Sequence, residues 1–218
     1  MPSIYQLKPA FQNLLRPLVK GLYRLGVTAN MVTLGSMLVS VFVAIGIYFS
    51  VQSPHGSIWY FLLLPVWMLL RMACNAIDGM LAREFGQQSH LGAYLNELCD
   101  VISDSALYLC LIAFTLISHK LLFLFIFLAI LAEYAGVMAP IIGAERRYDG
   151  PMGKSDRAFV ISVLAVIIAL SPTLQAKFQN IQIQQIDTVI NGILLLSSVL
   201  LILTIFNRIR QGLLHHKD

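Results

Sequence analysis

Residues 75–104 read NAIDGMLAREFGQQSHLGAYLNELCDVISD, a polar stretch set between long apolar runs. It holds five carboxylic acids: Asp78, Glu84, Glu97, Asp100 and Asp104. An acid at the centre of a membrane-spanning helix costs about 2.5–3.5 kcal/mol on insertion scales, so such a residue usually faces a watery cavity. These acids therefore either face water and have little functional importance, or they lie at membrane depth and take part in a reaction.

The composition places the chain among membrane proteins. Of its 218 residues, 58% are apolar and 12% are charged, and the mean hydropathy is +0.77. Soluble domains are roughly 45–50% apolar and about 25% charged. The net charge of +4 comes from Lys and Arg gathered in particular loops, so it indicates topology and not a nucleic-acid partner. Cys74, Cys99 and Cys110 have no disulfide or zinc spacing, and we expect reduced packing residues.

The apolar runs predict an all-α integral membrane protein with six spans, each near the twenty residues that a bilayer requires. The candidate spans are 32–51, 58–82, 91–117, 121–143, 158–175 and 185–207. We find no repeat or linker and treat residues 1–218 as one domain. The first residues lack the short apolar core of a cleavable signal peptide, so we expect a mature N-terminus.

Basic residues alternate between the predicted loops, which sets the orientation by the positive-inside rule. One side of the membrane carries Lys8, Arg16, Lys20, Arg24, Arg83, Arg146, Arg147, Lys154, Arg157, Arg208, Arg210 and Lys217. The other side has only Lys120 and Lys177. The sequence therefore predicts that both termini and the acidic stretch are cytoplasmic.

Residues 1–25 precede the first span and have a pattern of their own. Leucines and Phe11 recur every three or four residues, while Arg16, Lys20 and Arg24 step along another face. This pattern predicts a basic amphipathic helix that lies in the cytoplasmic interface and is attracted to anionic membrane lipids. Such a helix either serves only as a topology anchor or also shapes the rim of a site.

The polar residues of 75–104 fall on two helix faces. Asn75 and Asp78 share a face of the second span, and a stripe on the third span has four members: Gly92, Asn96, Asp100 and Asp104. On antiparallel neighbours joined by a short loop, these two faces would converge.

Two interpretations of the converging faces remain open on spacing alone. Hard oxygen donors suit Mg²⁺ or Mn²⁺ shared with substrate phosphates. Gly79, Ala82 and Gly92 would let a substrate approach, and the fork of Arg83 matches a phosphate. A structural polar network or an ion path between the helices fits the same spacing equally well.

The stretch resembles the motif of the CDP-alcohol phosphotransferases, D-x-x-D-G-x-x-A-R, eight residues, then G-x-x-x-D-x-x-x-D. Six fixed positions match in order and spacing: Asp78, Gly79, Ala82, Arg83, Gly92 and Asp100. That family has six spans, cytoplasmic termini, an interfacial N-terminal helix and a site that faces the cytoplasm, and its members are often dimers.

The resemblance implies an activity and a role for each motif residue. A CDP-linked alcohol, often CDP-diacylglycerol, is attacked by the hydroxyl of an acceptor alcohol, CMP leaves, and a phosphodiester lipid forms. Mg²⁺ or Mn²⁺ would bridge the pyrophosphate and the motif carboxylates, and Asp100 would be the general base. Four residues would surround the nucleotide: Gly79, Ala82, Arg83 and Gly92.

The chain departs from this motif at two positions. Asn75 and Asn96 stand where the family has the first and third carboxylates, so two charges remain where four are usual. Glu97 or Asp104 would have to compensate, and Asp104 is the better placed because it continues the stripe. A degenerate homologue that binds nucleotide-lipid without turnover therefore stays open, as does a small cation-coupled transporter.

Three weaker candidates lie elsewhere. Asn30 and Thr33 open the first span and either contact the nucleotide or belong to a helix start capped by Thr28 or Asn30. Lys154 and Arg157 open the fifth span and either bind a phosphate of the acceptor or lipid, or only anchor the loop. Glu133 lies within the fourth span, and we expect it to pair with Arg71 or with a hydroxyl.

Overall fold

The structure, a computed structural model, describes residues 4–177 and 183–214. Seven α-helices account for most of them, and no β-strand occurs in these two ranges. The helices are α1 (Ile4–Arg24), α2 (Ala29–Gln52), α3 (Leu63–Glu84), α4 (His90–Leu109), α5 (His119–Met138), α6 (Lys154–Lys177) and α7 (Ile183–Leu214). Short 3₁₀ segments lie at Ile58–Leu62, Cys110–Ala113 and Ala139–Ile142.

The predicted fold class is confirmed. Five helices are long and apolar enough to cross a membrane: α2, α3 with its preceding 3₁₀ segment, α5 with its following one, α6 and α7. The remaining predicted span corresponds to α4, whose 20 residues reach about 30 Å and so suffice for a bilayer core. The helix α4 differs from the other five because it contains three acids, Glu97, Asp100 and Asp104. The amphipathic α1 precedes them all.

Two boundaries differ most from the prediction. The third span was expected to continue to residue 117, but α4 ends at Leu109, and the chain becomes extended at Phe114 after one 3₁₀ segment. The last helix continues to Leu214, so Arg208 and Arg210 belong to α7 and not to a tail. Lys217 lies outside the described residues.

Helices α1 and α3 each end in a tight turn that contains a glycine. Gly26 follows α1 with φ 80°, and Gly86 follows α3 with φ 64°. Only glycine adopts this left-handed conformation without a steric cost, which makes it the usual residue after a helix. After Gly86, the Gln87 N–H donates to the Ala82 carbonyl at 3.0 Å and completes the cap of α3.

The chain forms two compact units. The first comprises residues up to Phe42 together with Val66–Ser103, and the second comprises Val43–Pro65 together with Asp104 onward. The core of the first unit contains the buried residues Val19, Ala29, Ile77, Met80 and Leu81. In the second unit α5 packs along α7, and α6 contacts α7 and the segment Ile58–Leu62. The single functional domain over 1–218 stays a prediction.

Candidate functional site

The first unit contains a pocket of about 380 Å³, a volume within the usual range for small-molecule sites. It is built from the start of α2, the end of α3, the connection between α3 and α4, and the start of α4. Its lining residues are Ala29, Asn30, Thr33, Asp78, Gly79, Ala82, Arg83, Gln87, Gln88, Ser89, Gly92, Ala93, Asn96 and Glu97. Eight of the predicted site residues therefore share one cavity.

The start of α2 is held by two side-chain caps. The Ala29 N–H donates to Gln87 Oε1 at 2.7 Å, and the Met31 N–H donates to Thr28 Oγ1 at 3.3 Å. The expected capping by Thr28 is thus observed. Capping does not exclude a contact with ligand, because Asn30 and Thr33 also line the pocket.

Asp78 is the buried carboxylate of the pocket, with 6% of its surface exposed. The Thr33 hydroxyl donates to Asp78 Oδ2 at 2.8 Å and so joins α2 to α3. A buried carboxylate needs such partners, since an unpaired charge loses its hydration without compensation. The hydroxyl therefore fixes the carboxylate of Asp78 within the cavity wall.

The motif glycines allow polar side chains to lie close to the backbone. A methyl group added at Gly79 would lie 2.9 Å from Arg83 Nη2, so the guanidinium lies over this glycine. A methyl group at Gly92 would meet Asn30 Oδ1 at 2.9 Å and Ser89 Oγ at 3.0 Å. The Gly92 N–H also donates to Ser89 Oγ at 2.9 Å, which caps α4. These two positions are therefore filled by neighbouring polar groups.

The predicted base, Asp100, is paired with an arginine. Arg71 Nη2 donates to Asp100 Oδ1 at 2.9 Å and to the Asp100 carbonyl at 3.1 Å. The Arg71 side chain is 7% exposed and that of Asp100 is 22% exposed. Asn75 and Asn96 are half-buried; Asn96 lines the pocket, whereas Asn75 and Asp100 are outside its lining.

The oxygen donors of this unit suit a hard divalent cation. Asp78 and Asp100 offer carboxylates, and Asn75 and Asn96 offer amide oxygens, which are ligands that Mg²⁺ and Mn²⁺ accept. Among the described residues no group of three or more His, Cys, Asp or Glu side chains could hold a metal ion. These carboxylate and amide oxygens could therefore hold a divalent ion only together with oxygens from a ligand, such as phosphate oxygens.

The two acids expected to compensate for Asn75 and Asn96 are placed differently. Glu97 lines the pocket of the first unit beside Asn96. Asp104 belongs to the second unit, where its Oδ2 accepts from Arg157 Nη2 at 3.4 Å and from the Tyr108 hydroxyl at 3.2 Å. The role of Asp104 as a metal ligand stays a prediction.

Glu133 pairs with three arginines of the second unit, so the expected pair with Arg71 is wrong. Its Oε1 lies 2.9 Å from Arg157 Nη2 and 3.4 Å from Arg208 Nη1, and its Oε2 lies 3.4 Å from Arg146 Nη2. Buried charges require opposite partners, and these guanidiniums supply them. Arg157 and Arg208, which the sequence analysis counted among the orienting charges of one membrane side, are instead buried within helices.

Lys154 and Arg157, the predicted phosphate ligands, stand at the start of α6. Arg157 is 1% exposed and lies between Glu133 and Asp104. Lys154 is half-buried. A phosphate at Arg157 would have to replace a carboxylate, so the role of this pair stays a prediction.

The amphipathic helix α1 contacts residues at the rim of the pocket. Arg16 forms two hydrogen bonds with Glu84, the residue after Arg83, at 3.0 and 3.2 Å, and this contact raises the pKa of Arg16. The Tyr23 and Phe85 rings lie 4.3 Å apart. These contacts support the interpretation in which α1 shapes the rim and is more than a topology anchor.

Sequence reasoning did not identify Gln87, Gln88 and Ser89 as lining residues or Arg71 as the partner of Asp100. A signal existed for Ser89, because a serine directly before the start of a helical pattern, here the start of α4, is a helix N-cap signal. Arg71 lies seven residues before Asp78 and thus on the same helix face, but its partner on α4 cannot be read from that spacing.

The family model for CDP-alcohol phosphatidyltransferase matches residues 26–206. The chain is 41% identical to the inner membrane protein YnbA of Escherichia coli over 212 residues, which is 97% of each protein. It also resembles two crystal structures of Mycobacterium tuberculosis phosphatidylinositol phosphate synthase. The structure with manganese and citrate has a TM-score of 0.69 at 21% identity, covering 91% of this chain and 88% of that one. The structure with CDP-DAG has a TM-score of 0.67 at 21% identity, covering 90% and 92%.

Proposed function

The chain belongs to the CDP-alcohol phosphatidyltransferase family, and we propose that it transfers a phosphatidyl or substituted phosphoryl group from a CDP-linked alcohol to the hydroxyl of a second alcohol. The donor that we propose is CDP-diacylglycerol, CMP is released, and the product is a phospholipid. The observation that carries this proposal is that one pocket of the first unit collects Asp78, Gly79, Arg83 and Gly92 beside Asn30 and Thr33.

In this proposal the nucleotide end of the donor occupies the pocket. Gly79, Ala82 and Gly92 carry little bulk, so polar side chains such as Arg83 and Asn30 lie close to the backbone of α3 and α4, where they would contact the pyrophosphate. Arg83 lies over Gly79, and its planar fork can pair with two phosphate oxygens at once. Asn30 and Thr33 contribute polar groups from the start of α2. The synthase structure with bound CDP-DAG supports this assignment through its likeness in fold.

Asp78 and Asp100, with Asn75, Asn96 and Asp104, are the residues that we propose for holding Mg²⁺ or Mn²⁺. A bound divalent ion would neutralise the negative charge that develops on the phosphate oxygens as the bond to CMP breaks. Asp78 is already oriented by Thr33, so the chain supplies a fixed carboxylate for this purpose.

Asp100 is the proposed general base. In the transfer step the acceptor hydroxyl oxygen forms a bond to the phosphorus of the donor, the bond from that phosphorus to CMP breaks, and the hydroxyl proton passes to Asp100. Arg71 orients the carboxylate through its contact with Oδ1. A base positioned in this way typically contributes about 10²–10⁴-fold to the rate.

Lys154 and Arg157 are proposed to bind a phosphate of the acceptor or of the lipid. The synthase named above makes a phosphatidylinositol phosphate, so a phosphorylated polyol belongs among the acceptors to be tested. We also propose that both termini and the pocket face the cytoplasm, as the basic loops indicate. A homodimer is proposed from the resemblance to the family.

A second function, binding of nucleotide-lipid without turnover, is favoured by one observation. Asn75 and Asn96 leave the four motif positions with two carboxylates, which weakens the hold on a divalent ion. A cation-coupled transporter is the third candidate. It predicts substrate-driven flux in vesicles and tolerance of Arg83→Ala, whereas the transferase predicts no such flux and a strong loss with that variant.

The experiment that separates these functions uses purified protein with labelled CDP-diacylglycerol and Mg²⁺ or Mn²⁺. A panel of acceptors is added in turn: glycerol phosphate, inositol phosphate, inositol and serine. Transfer of the label to a new lipid with equal release of CMP supports the transferase and identifies the acceptor. Binding of the donor without CMP release for any acceptor supports the degenerate homologue.

A further inference from the structure

Arg71 introduces a permanent positive charge beside the motif carboxylates. It lies on α3 four residues before Asn75 and seven before Asp78, so all three share one helix face. Its guanidinium contacts both the carboxylate and the backbone carbonyl of Asp100 on α4. Arg71 is 6% exposed, which leaves little freedom to move away from this partner.

The charge balance around this arginine differs from that of a site with four carboxylates. Asp78 and Asp100 contribute two negative charges, and Arg71 contributes one positive charge. Arg83 and Glu97, the other charged residues that line the pocket, cancel each other. Four carboxylates would neutralise two divalent ions, but the charges present here do not fully neutralise even one.

We propose that Arg71 takes the place of one of the two divalent ions, so that this site binds a single Mg²⁺ or Mn²⁺ ion. The proposal rests on the proposed function, from which the metal site is taken. A guanidinium is always charged and presents its N–H donors in a fixed plane, so it can hold a carboxylate oxygen that would otherwise ligate a second metal ion. Arg71 is therefore a positioning residue of Asp100, and the single ion would be shared by Asp78 and Asp100.

The pairing explains why Asn75 and Asn96 occur together with an arginine. With carboxylates at both positions, the site would have the charge for two ions, and a neighbouring guanidinium would compete with one of them. With amides at both positions, the second ion loses its ligands and Arg71 supplies the missing positive charge. Together, Arg71 and the two amides would leave the site with the charge and the ligands for one divalent ion.

The test counts bound Mn²⁺ ions in the purified protein with CDP present, by calorimetry and by electron paramagnetic resonance of free Mn²⁺. The wild type is compared with Asn75→Asp/Asn96→Asp and with that double variant carrying either Arg71→Gln or Arg71→Lys. We expect one ion in the wild type, one in the double variant, two after addition of Arg71→Gln, and one after addition of Arg71→Lys. Arg71→Lys is the matched control because it keeps the charge.

Three results would overturn the proposal: two ions or no ion in the wild type, two ions in the double variant with Arg71 intact, or one ion in a folded Arg71→Gln triple variant. Should that triple variant fail to fold, the double variant decides alone, since it retains Arg71. CMP release is measured on the same wild-type sample. One ion without CMP release contradicts only the proposed function, and two ions with CMP release contradict only the role of Arg71.

Discussion

At the scale of single residues, Asp100 has two proposed tasks, because it is to ligate a divalent ion and to accept the proton of the attacking hydroxyl. Asp100→Asn removes the charge and the base but keeps an oxygen that can accept from Arg71. We expect CMP release to fall by about 10²–10⁴-fold or more while the protein remains folded. Single-turnover CMP release, with a thermal unfolding curve as the control, measures this effect. Near-normal turnover would move the base to another acid, with Asp104 the next to test.

Asn75 and Asn96 lead to a prediction about the order of binding. At an effective dielectric of ~20, two unit charges ~4 Å apart interact by roughly 4 kcal/mol, so the loss of two carboxylates weakens metal binding by orders of magnitude even after a large discount. Substrate phosphates must then supply much of the negative charge. Mn²⁺ should bind poorly to the protein alone and well in the presence of CDP, as measured by calorimetry.

The matched variant for this experiment is Asn75→Asp/Asn96→Asp, which should raise the affinity for Mn²⁺ without nucleotide. Tight binding to the wild type in the absence of CDP would show that Glu97, Asp104 or the amides replace the missing carboxylates. No binding even with CDP-lipid would favour the homologue that lacks turnover.

The residue scale also shows what spacing could predict. The motif spacing identified Asp78, Gly79, Arg83 and Gly92, and the structure gathers these four in one cavity. The spacing alone could not identify the partner of a buried charge. Helical periodicity shows which face a residue lies on, but not which residue of a neighbouring helix it contacts. Glu133 is the clear example, since its arginines come from a loop and two later helices.

At the scale of elements, the start of α2 depends on the connection between α3 and α4. Gln87 Oε1 accepts a hydrogen bond from the Ala29 N–H at the start of α2. Asn30 and Thr33, near the same helix end, line the pocket. Gln87→Ala removes this cap, which typically costs about 0.5–2 kcal/mol. We expect a lower unfolding temperature and weaker binding of CDP, measured by thermal unfolding and calorimetry.

The control for this prediction is Gln87→Glu, which keeps an oxygen acceptor of nearly the same reach. It should retain the unfolding temperature of the wild type, since a carboxylate near a helix N-terminus is also favourable. Unchanged stability and CDP affinity in Gln87→Ala would show that Thr28 alone is sufficient to hold the start of α2.

Element boundaries were the least predictable part of the fold. The apolar run CLIAFTLI, residues 110–117, contains neither proline nor glycine, so its sequence gave no reason to end α4 at Leu109. Conversely, Arg208 and Arg210 look like the start of a tail, yet α7 continues through them. Burial of Arg208 against the Ala132 carbonyl and Glu133 explains why a charged residue can belong to that helix.

At the scale of the whole molecule, composition and hydropathy were sufficient for the fold class. Long apolar runs indicate spanning helices because every backbone polar group within a bilayer must be paired inside the chain. The orientation rests on fewer charges than the sequence suggests, since Arg157 and Arg208 are buried. Among the described residues of the side predicted as cytoplasmic, the basic charges that are not buried lie on α1 and at Arg83, Arg146, Arg147, Lys154 and Arg210.

Accessibility labelling tests the orientation. Single cysteines are introduced at Pro54, Arg83 and Lys177 in a variant that lacks Cys74, Cys99 and Cys110, and a tag marks the C-terminus. We expect an impermeant reagent on the outer side to label positions 54 and 177 only. A result that places position 177 and the C-terminus on the same side would contradict the six-span topology.

The most direct test of the central claim is CMP release by the wild-type protein in lipid vesicles that contain CDP-diacylglycerol. We predict release that requires both a divalent ion and an acceptor alcohol, with one CMP formed for each new phospholipid molecule, and no release by the Arg83→Ala variant. CMP release without a new lipid, or no release with any acceptor and either Mg²⁺ or Mn²⁺, would contradict the assignment as a phosphatidyltransferase.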